Sequence, residues 1–343
     1  MSSKSIGLLD NVRINNGPNG LKNYVQNLLQ RNREKAFELI NDTNLQFRTL
    51  YLLRNLIQNA NAESALNPLY LRALEMAAEL TGTSGLTGQN AAKAEKSFRH
   101  RNEDAVPVLQ WMIKTGAVDH FRDGFIDEAP DKEYDCLMER AAALLTKSFR
   151  DTSVLPELAE MIFAQYRNGK LIHELVWAFF EARNPESLLL IAQHLHSPDR
   201  KDIELAERLL CFIPEIEKWP GSAGITAYNR VLYWLRENRP FIYYTGESLH
   251  LCNSPRHYAV SLPAKYLCRP VSVDTGEPLS PFNELEAKLL LQFGEHPEQI
   301  QQKLADFSLI LYRRNIYQWN AWIQLPLNRQ IGFAEQMNGG MMA

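Results

Sequence analysis

The chain has 343 residues, with 37 Lys plus Arg against 40 Asp plus Glu and a formal net charge of −3. At 45% hydrophobic and 22% charged it carries enough apolar material for a sizeable core, which excludes wholesale disorder. Its length suits about two domains or one elongated one, and four cysteines, Cys136, Cys211, Cys252 and Cys268, are too few for a disulfide scaffold, so a reduced, cytoplasmic chain is expected.

The first ten residues lack a long apolar run and place Ser2 where N-myristoylation needs Gly, so neither secretion nor acylation is expected. Leu175–Phe180 and Leu188–Ala192, among the longest apolar stretches, fall far short of the ~20 residues of a membrane span. Charge is unevenly distributed. Residues 1–105 carry a net +3, residues 106–220 carry 13 basic and 20 acidic side chains, and residues 221–343 carry a net +1. A nucleic-acid binder needs a concentrated basic face to displace counterions from phosphates, and no third of the chain supplies a large excess.

Taken from the N-terminus, residues 1–18 read as a flexible segment, and a helical domain is expected over 19–240. Apolar residues recur at helical spacing in Leu21–Ile40, through Tyr24, Val25, Leu28, Leu29, Phe37 and Ile40. Leu45–Ala60 repeats the pattern, and further helices are expected near 67–80, 89–100, 104–115, 132–149, 153–167, 170–183, 185–196, 199–213 and 223–238. Asn67-Pro68, Asn184-Pro185 and Ser197-Pro198 each offer a side-chain acceptor at the N-cap and a proline at the first helical position, while Asn168-Gly169 supplies a stop. His173–Phe180 is apolar nearly all round, so this helix should lie between layers.

The segment Glu186-Ser-Leu-Leu-Leu-Ile-Ala-Gln-His-Leu-His-Ser-Pro-Asp-Arg-Lys-Asp-Ile-Glu-Leu-Ala-Glu-Arg-Leu-Leu210 has an apolar first helix, a Ser197-Pro198-Asp199 turn and a second helix that carries Ile203, Leu205, Ala206, Leu209 and Leu210. Across residues 185–213 it resembles HEAT-like α-helical repeat proteins. The resemblance implies a mainly α fold, an α-solenoid or stacked antiparallel helical hairpins, whose long continuous surface recognises other proteins.

After Pro240 the composition shifts to Tyr, Val, Thr, Ser and Pro, and 241–281 reads as an irregular insertion. Glu247–Cys252 and His257–Leu262 flank Asn253-Ser-Pro-Arg256 and are expected to pair as a small β-hairpin, with another extended piece over Tyr266–Asp274. C-terminal helices packed on the array follow over 282–337, near 282–294 and 297–314, before a frayed tail at 338–343.

Few residues suggest chemistry. His173-Glu174 lacks the second histidine of a metalloprotease helix, since the fourth following position is Ala178. His250, Cys252, His257 and Cys268 form the one set of four metal-competent side chains. In the expected hairpin, Cys252 opposite His257 would share a face with His250, giving a possible zinc site and, as an alternative function, a metal-dependent hydrolase near 250–268. The glycine-rich stretch Gly82–Gly88 follows a helix and lacks the Lys-Ser/Thr ending of a phosphate loop. Asp119, Asp123, Asp127, Asp131, Asp135 and Glu139 recur every four residues and read as an acidic surface for a basic partner. Trp319 and Trp322, flanked by Ile316 and Ile323, sit at helical spacing and either cap the core or present contact area to a protein; Arg313 and Arg314 beside them are the one candidate for nucleic-acid contact. The leading expectation is a noncatalytic scaffold or adaptor for protein–protein interaction, with partner-binding residues among Asp123, Asp127, Asp131, Trp319 and Trp322.

Overall fold

The computed structural model describes residues 7–60, 63–82, 93, 97–98, 105–117, 128–217 and 224–340. They are predominantly helical, with a two-stranded antiparallel sheet, and the chain divides into two units, Met1–Ala182 and Arg183–Ala343.

The first unit begins with α1 (Leu8–Arg31), followed by α2 (Arg33–Ile40) and α3 (Phe47–Asn59). Helix therefore runs through most of the stretch expected to be flexible. The Asn-, Gly- and Pro-rich sequence from Asn15 to Gly20 does leave a mark, because Gly17 takes a left-handed φ of 71° ahead of Pro18 and kinks α1. What holds the first turns is tertiary. Leu9, Asp10 and Arg13 are buried, and the Arg13 guanidinium donates to Thr49 Oγ1 at 2.7 Å and to Gln46 Oε1 at 2.9 Å. Thr49 in turn donates to Asp10 Oδ1 at 2.5 Å. Buried charge is tolerated only when its hydrogen bonds are made, so these residues tie α1 to the start of α3.

Helices α4 (Pro68–Gly82), α5 (Ala105–Gly116) and α6 (Glu128–Ala143) pack with α3 around an aromatic cluster. Phe47 lies 5.8 Å from Trp111 and 5.9 Å from Tyr134, and Tyr70 stacks on Trp111 at 5.0 Å. Asn67 caps α4 as expected, accepting from the Leu69 amide at 2.9 Å. A π turn, Leu144–Ser148, extends α6, and α7 (Leu155–Arg167) and α8 (His173–Glu181) complete the unit. Gly169, at φ 70°, follows α7 in the left-handed conformation its position requires. In α8, Leu175, Val176, Ala178, Phe179 and Phe180 are all buried, and the helix packs on both α6 and α7.

The second unit opens with α9 (Leu188–Gln193), flanked by 3-10 turns at Pro185–Ser187 and His194–His196, then α10 (Arg200–Leu209), α11 (Pro214–Glu217) and α12 (Ile225–Asn238). The helix expected from Ser197-Pro198 starts two residues later. Asp199 is the cap, accepting from the Lys201 amide at 2.9 Å, while Ser197 bonds forward to Asp202 at 2.7 Å. Helix α12 packs on α9.

The sheet differs from the expected hairpin. Strand β1 (Ile242–Tyr244) pairs with β2 (Tyr258–Val260), in the register Ile242↔Val260, Tyr243↔Ala259 and Tyr244↔Tyr258. Glu247–Cys252 is loop and turn. The Glu247 carboxylate accepts from the Arg256 amide at 2.8 Å and Thr245 bonds to the Arg256 carbonyl, which closes a long connection without extended pairing. The more apolar Ile242-Tyr-Tyr244 takes the strand position because its alternate residues Ile242 and Tyr244 are buried. The extended piece after Tyr266 is short: the Tyr244 amide donates to the Val273 carbonyl at 2.7 Å, and Val271 bridges Pro278 across a turn at Gly276.

Five helices finish the chain: α13 (Leu262–Tyr266), α14 (Glu284–Gly294), α15 (Glu298–Arg314), α16 (Ile316–Ile323) and α17 (Leu327–Gly340). Their core holds Tyr266, Leu267, Phe293, Leu304, Trp322 and Leu327. Tyr266 stacks on Phe293 at 4.5 Å and donates to Gln330 at 2.5 Å, and buried Lys265 donates to Asn238 at 2.6 Å and Asp306 at 2.5 Å.

Two substitutions check this account. Arg13→Met removes the guanidinium bonds to Thr49 and Gln46 and the positive charge one turn from buried Asp10, so urea denaturation should show a loss of about 3–5 kcal/mol; a loss below about 1 kcal/mol contradicts the role given to the network. Gly276→Ala forces a side chain into a φ of 73° with its Cβ 2.8 Å from the Tyr243 ring, and should cost about 2 kcal/mol. Gly294→Ala, whose Cβ meets open space, serves as the neutral control.

Candidate functional site

The four metal-competent residues do not converge. His257 is buried beside β2, its Nδ1 3.1 Å from the Glu247 carbonyl oxygen, and burial pushes its pKa down to about 4, so the ring is neutral at physiological pH. His250 and Cys252 lie exposed in the turn after Ser248, with Cys252 Sγ 3.9 Å from the Ser248 carbonyl. Cys268 sits just past α13 at a left-handed φ of 53°, its sulfur 3.9 Å from Ser308 Oγ, and burial raises its thiol to about 11. The expected sharing of one strand face fails because Ile242–Tyr244, not Glu247–Cys252, is the strand that pairs with Tyr258–Val260, which leaves His250 and Cys252 in the connection between the two. Among the described residues, no three His, Cys, Asp or Glu side chains are grouped to hold a metal ion.

Of the acidic series, Asp119, Asp123 and Asp127 lie outside the described residues, as does the side chain of Asp131, which falls within α6. Residues 83–88 of the glycine-rich stretch lie outside as well. The two C-terminal members, Asp135 and Glu139, are on α6, and neither is fully exposed. Lys170 pairs with Asp135 at 2.6 Å. Glu139 has a carboxyl raised to about 7, first by burial and then by the charges of Glu174 and Asp135, against partial relief from Arg140 and Lys170.

The aromatic pair divides. Trp322 is buried, edge-on to Phe307 at 5.1 Å and to Tyr266 at 6.0 Å, which makes it core and leaves it no face for a partner. Trp319 is half-buried: its indole N–H donates to Ser308 Oγ at 2.8 Å, and its ring meets Tyr312 edge-on at 5.2 Å. Arg313 is paired with Glu237.

Trp319 also lines an open cavity of about 850 Å³ in the second unit. One wall is α14, through Leu285 and Leu289; the other is α16, through Ile316 and Ile323; Leu267 and Cys268 contribute from the end of α13. Local sequence sets both walls. Helix α14 starts at a complete capping box, in which Asn283 accepts from the Glu286 amide at 2.9 Å and Glu286 accepts from the Asn283 amide at 3.0 Å. Asn315 caps α16 through bonds from the amides of Tyr317 and Gln318. Ser308, behind the lining, holds Trp319 in place, because its hydroxyl donates to the Tyr266 carbonyl at 2.5 Å while accepting from the Trp319 indole. Leu285 is 77% exposed and Ile316 46%, so apolar side chains on both walls face solvent. The sequence reading found the α16 aromatics but missed α14 as their counterpart. Leu289, Leu290 and Phe293 already account for the core face of α14, so Leu285, one turn before Leu289 and 77% exposed, is a leucine beyond what that face needs, and that is the available signal.

Fold and site together define a mainly helical protein with an open, largely apolar groove. No family model matches the sequence, no curated protein matches it, and no solved structure matches its fold. Among the described residues, no helix is long and apolar enough to cross a membrane.

The Glu139 environment sets a pH dependence. Its folded pKa, about 7, stands above the usual 4.5, so the folded chain holds the extra proton between these values. The group's contribution to stability is complete below about pH 4.5 and is lost as pH rises through 7. Glu139→Gln, which mimics the protonated side chain, should raise the unfolding free energy at pH 8 by on the order of 1–3 kcal/mol and by much less at pH 5. Parallel pH–stability curves for the two proteins would contradict the assignment.

Proposed function

We propose that this chain is a noncatalytic helical scaffold or adaptor that binds another protein, with the groove between α14 and α16 as a contact site. The observation that carries the reading is the outward placement of apolar side chains on both walls, Leu285 on one and Ile316 on the other. Folding alone gives no benefit from apolar groups left facing water from opposite sides of one cleft, whereas a partner that covers them gains their burial. The sequence resemblance of residues 185–213 to HEAT-like repeats is in keeping with the same class of function, since proteins of that kind recognise partners over extended surfaces. All four cysteines are free thiols, which fits a reducing compartment such as the cytoplasm.

The test is affinity capture from native extract with the full chain and with a Leu285→Asp/Ile316→Asp double variant. Both positions are substantially exposed, so the variant should keep its melting temperature. Reproducible recovery of a partner by the native chain, reduced at least about tenfold by the double variant, is the expected result, equivalent to a loss of 1.4 kcal/mol or more. Equal recovery by both proteins removes the groove from the contact surface.

A further inference from the structure

We propose that the turn between α7 and α8 is a pH-gated element, closed while Glu139 is protonated and released at Gly169 when Glu139 ionises. The trigger is the cluster of charged groups where α8 packs on α6. Glu139 lies half-buried on α6, one turn after Asp135, and takes no hydrogen bond among the described residues. Glu174 acts on it from the first turn of α8, and the cations beside it are already engaged: Lys170 pairs with Asp135 at 2.6 Å, and Arg140 donates to the Leu80 carbonyl at 2.6 Å. Asp135 and Glu174 balance Lys170 and Arg140 in charge, so an ionised Glu139 leaves the group one negative charge in excess at a partly desolvated position. Charged groups on the other packed elements are placed elsewhere. On α4, Glu75 pairs with Arg72 at 2.8 Å and Glu79 precedes Leu80; Lys114 of α5 acts on Asp151, and Lys147 of the π turn stands over the Trp177 ring. His173, the first residue of α8, is the other group there that gains or loses a proton.

The turn is the part that can yield. Helix α6 is locked in place by buried Leu137, Met138, Ala141 and Ala142, so Glu139 cannot leave its position without breaking the core. Gly169, by contrast, has a φ of 70° and nothing within 4 Å of where a Cβ would stand, and Leu171 is 80% exposed. The turn's own backbone bonds run from the Gly169 amide to the Tyr166 carbonyl and from the Lys170 amide to the Gln165 carbonyl, each at 3.0 Å. Pivoting at Gly169 moves Glu174 away from Glu139, admits water to the new carboxylate and uncovers Ile172, which is buried in the closed form. The sign follows from the proton. The closed form holds it up to about 7, and the open form returns the carboxyl toward its usual 4.5, so opening grows as pH rises from 4.5 and levels off above 7.

The test is amide hydrogen exchange of the full chain between pH 5 and pH 8, corrected for the intrinsic pH dependence of exchange and read at Lys170 and at Val176, whose amide is bonded to the Ile172 carbonyl at 2.9 Å. Protection there should fall at least about tenfold over this range in the native chain and less than about twofold in Glu139→Gln. His173→Gln should respond as the native chain does. Lys170→Met, which keeps Glu139 and removes a cation that eases its ionisation, should move the levelling-off to higher pH. The amides of Asn41 and Leu50, bonded to the Phe37 and Gln46 carbonyls, report on the rest of the first unit and should stay protected throughout. Parallel responses of the native chain and Glu139→Gln, a response lost in His173→Gln, a levelling-off that stays put or moves down in Lys170→Met, or an equal fall at Asn41 and Leu50, which marks global unfolding, each overturns the inference.

Discussion

The hydroxyl of Ser308 is the constraint on which the C-terminal helices depend. Helix α13 is only five residues long: the amides of Leu267, Arg269 and Cys268 cover the carbonyls of Pro263, Ala264 and Lys265, and the Tyr266 carbonyl takes a side-chain donor. Ser308, fully buried on α15, donates to the Tyr266 carbonyl and takes the Trp319 indole N–H as its own donor. One side chain thereby fixes three helices at a single point. Lys265 reinforces the junction from the preceding residue by reaching Asn238 and Asp306, while the Tyr266 ring stacks on Phe293 of α14. The groove follows from these bonds. Trp319 is turned so that one edge is held in the core and the rest of the ring borders the cleft, and α14 is anchored through Phe293 with Leu285 left outside.

The first unit solves a different problem with similar means. Its opening helix has a sequence poor in helix formers and broken by Gly17-Pro18, so local propensity cannot hold it. Burial of Leu9 together with hydrogen bonds from Arg13 and Thr49 does so, at the cost of placing charge in the interior. Further along, α6 and α8 bring Asp135, Glu139 and Glu174 near one another, and Lys170 is bonded to Asp135. The proton that Glu139 retains toward neutral pH is the physical consequence of packing those two helices closely.

Among the described residues, the histidines and cysteines that the sequence sets close together in the second unit are not grouped to hold a metal ion. His257, the most buried of the described histidines, is held neutral by its surroundings, and burial raises the Cys268 thiol away from thiolate chemistry. What the second unit does offer is an open groove lined by Leu285, Leu289, Ile316, Trp319 and Ile323 together with polar and charged side chains such as Lys288 and Asn320.

Much of the helical content was legible in the sequence because caps and periodicity are local. Asn67, Asn184 and Asn168-Gly169 mark real boundaries, and α8 could be read as a buried helix from its composition alone. The strand pairing was not legible: Glu247–Cys252 and Ile242–Tyr244 are both plausible strands, and the choice rested on which side chains the rest of the fold could bury. The same holds for the sites. Spacing can place His250, Cys252 and His257 near one another along the chain, but with the strand at Ile242–Tyr244 neither His250 nor Cys252 lies on a strand face. Trp319 and Trp322 look equivalent in sequence, three residues apart on one helix, yet one became core and the other the edge of a groove. The sequence determined that this protein is helical and where most helices begin. Only the tertiary structure decided which apolar residues would be spent on the core and which would remain at the surface, because that depends on contacts between segments far apart in the chain.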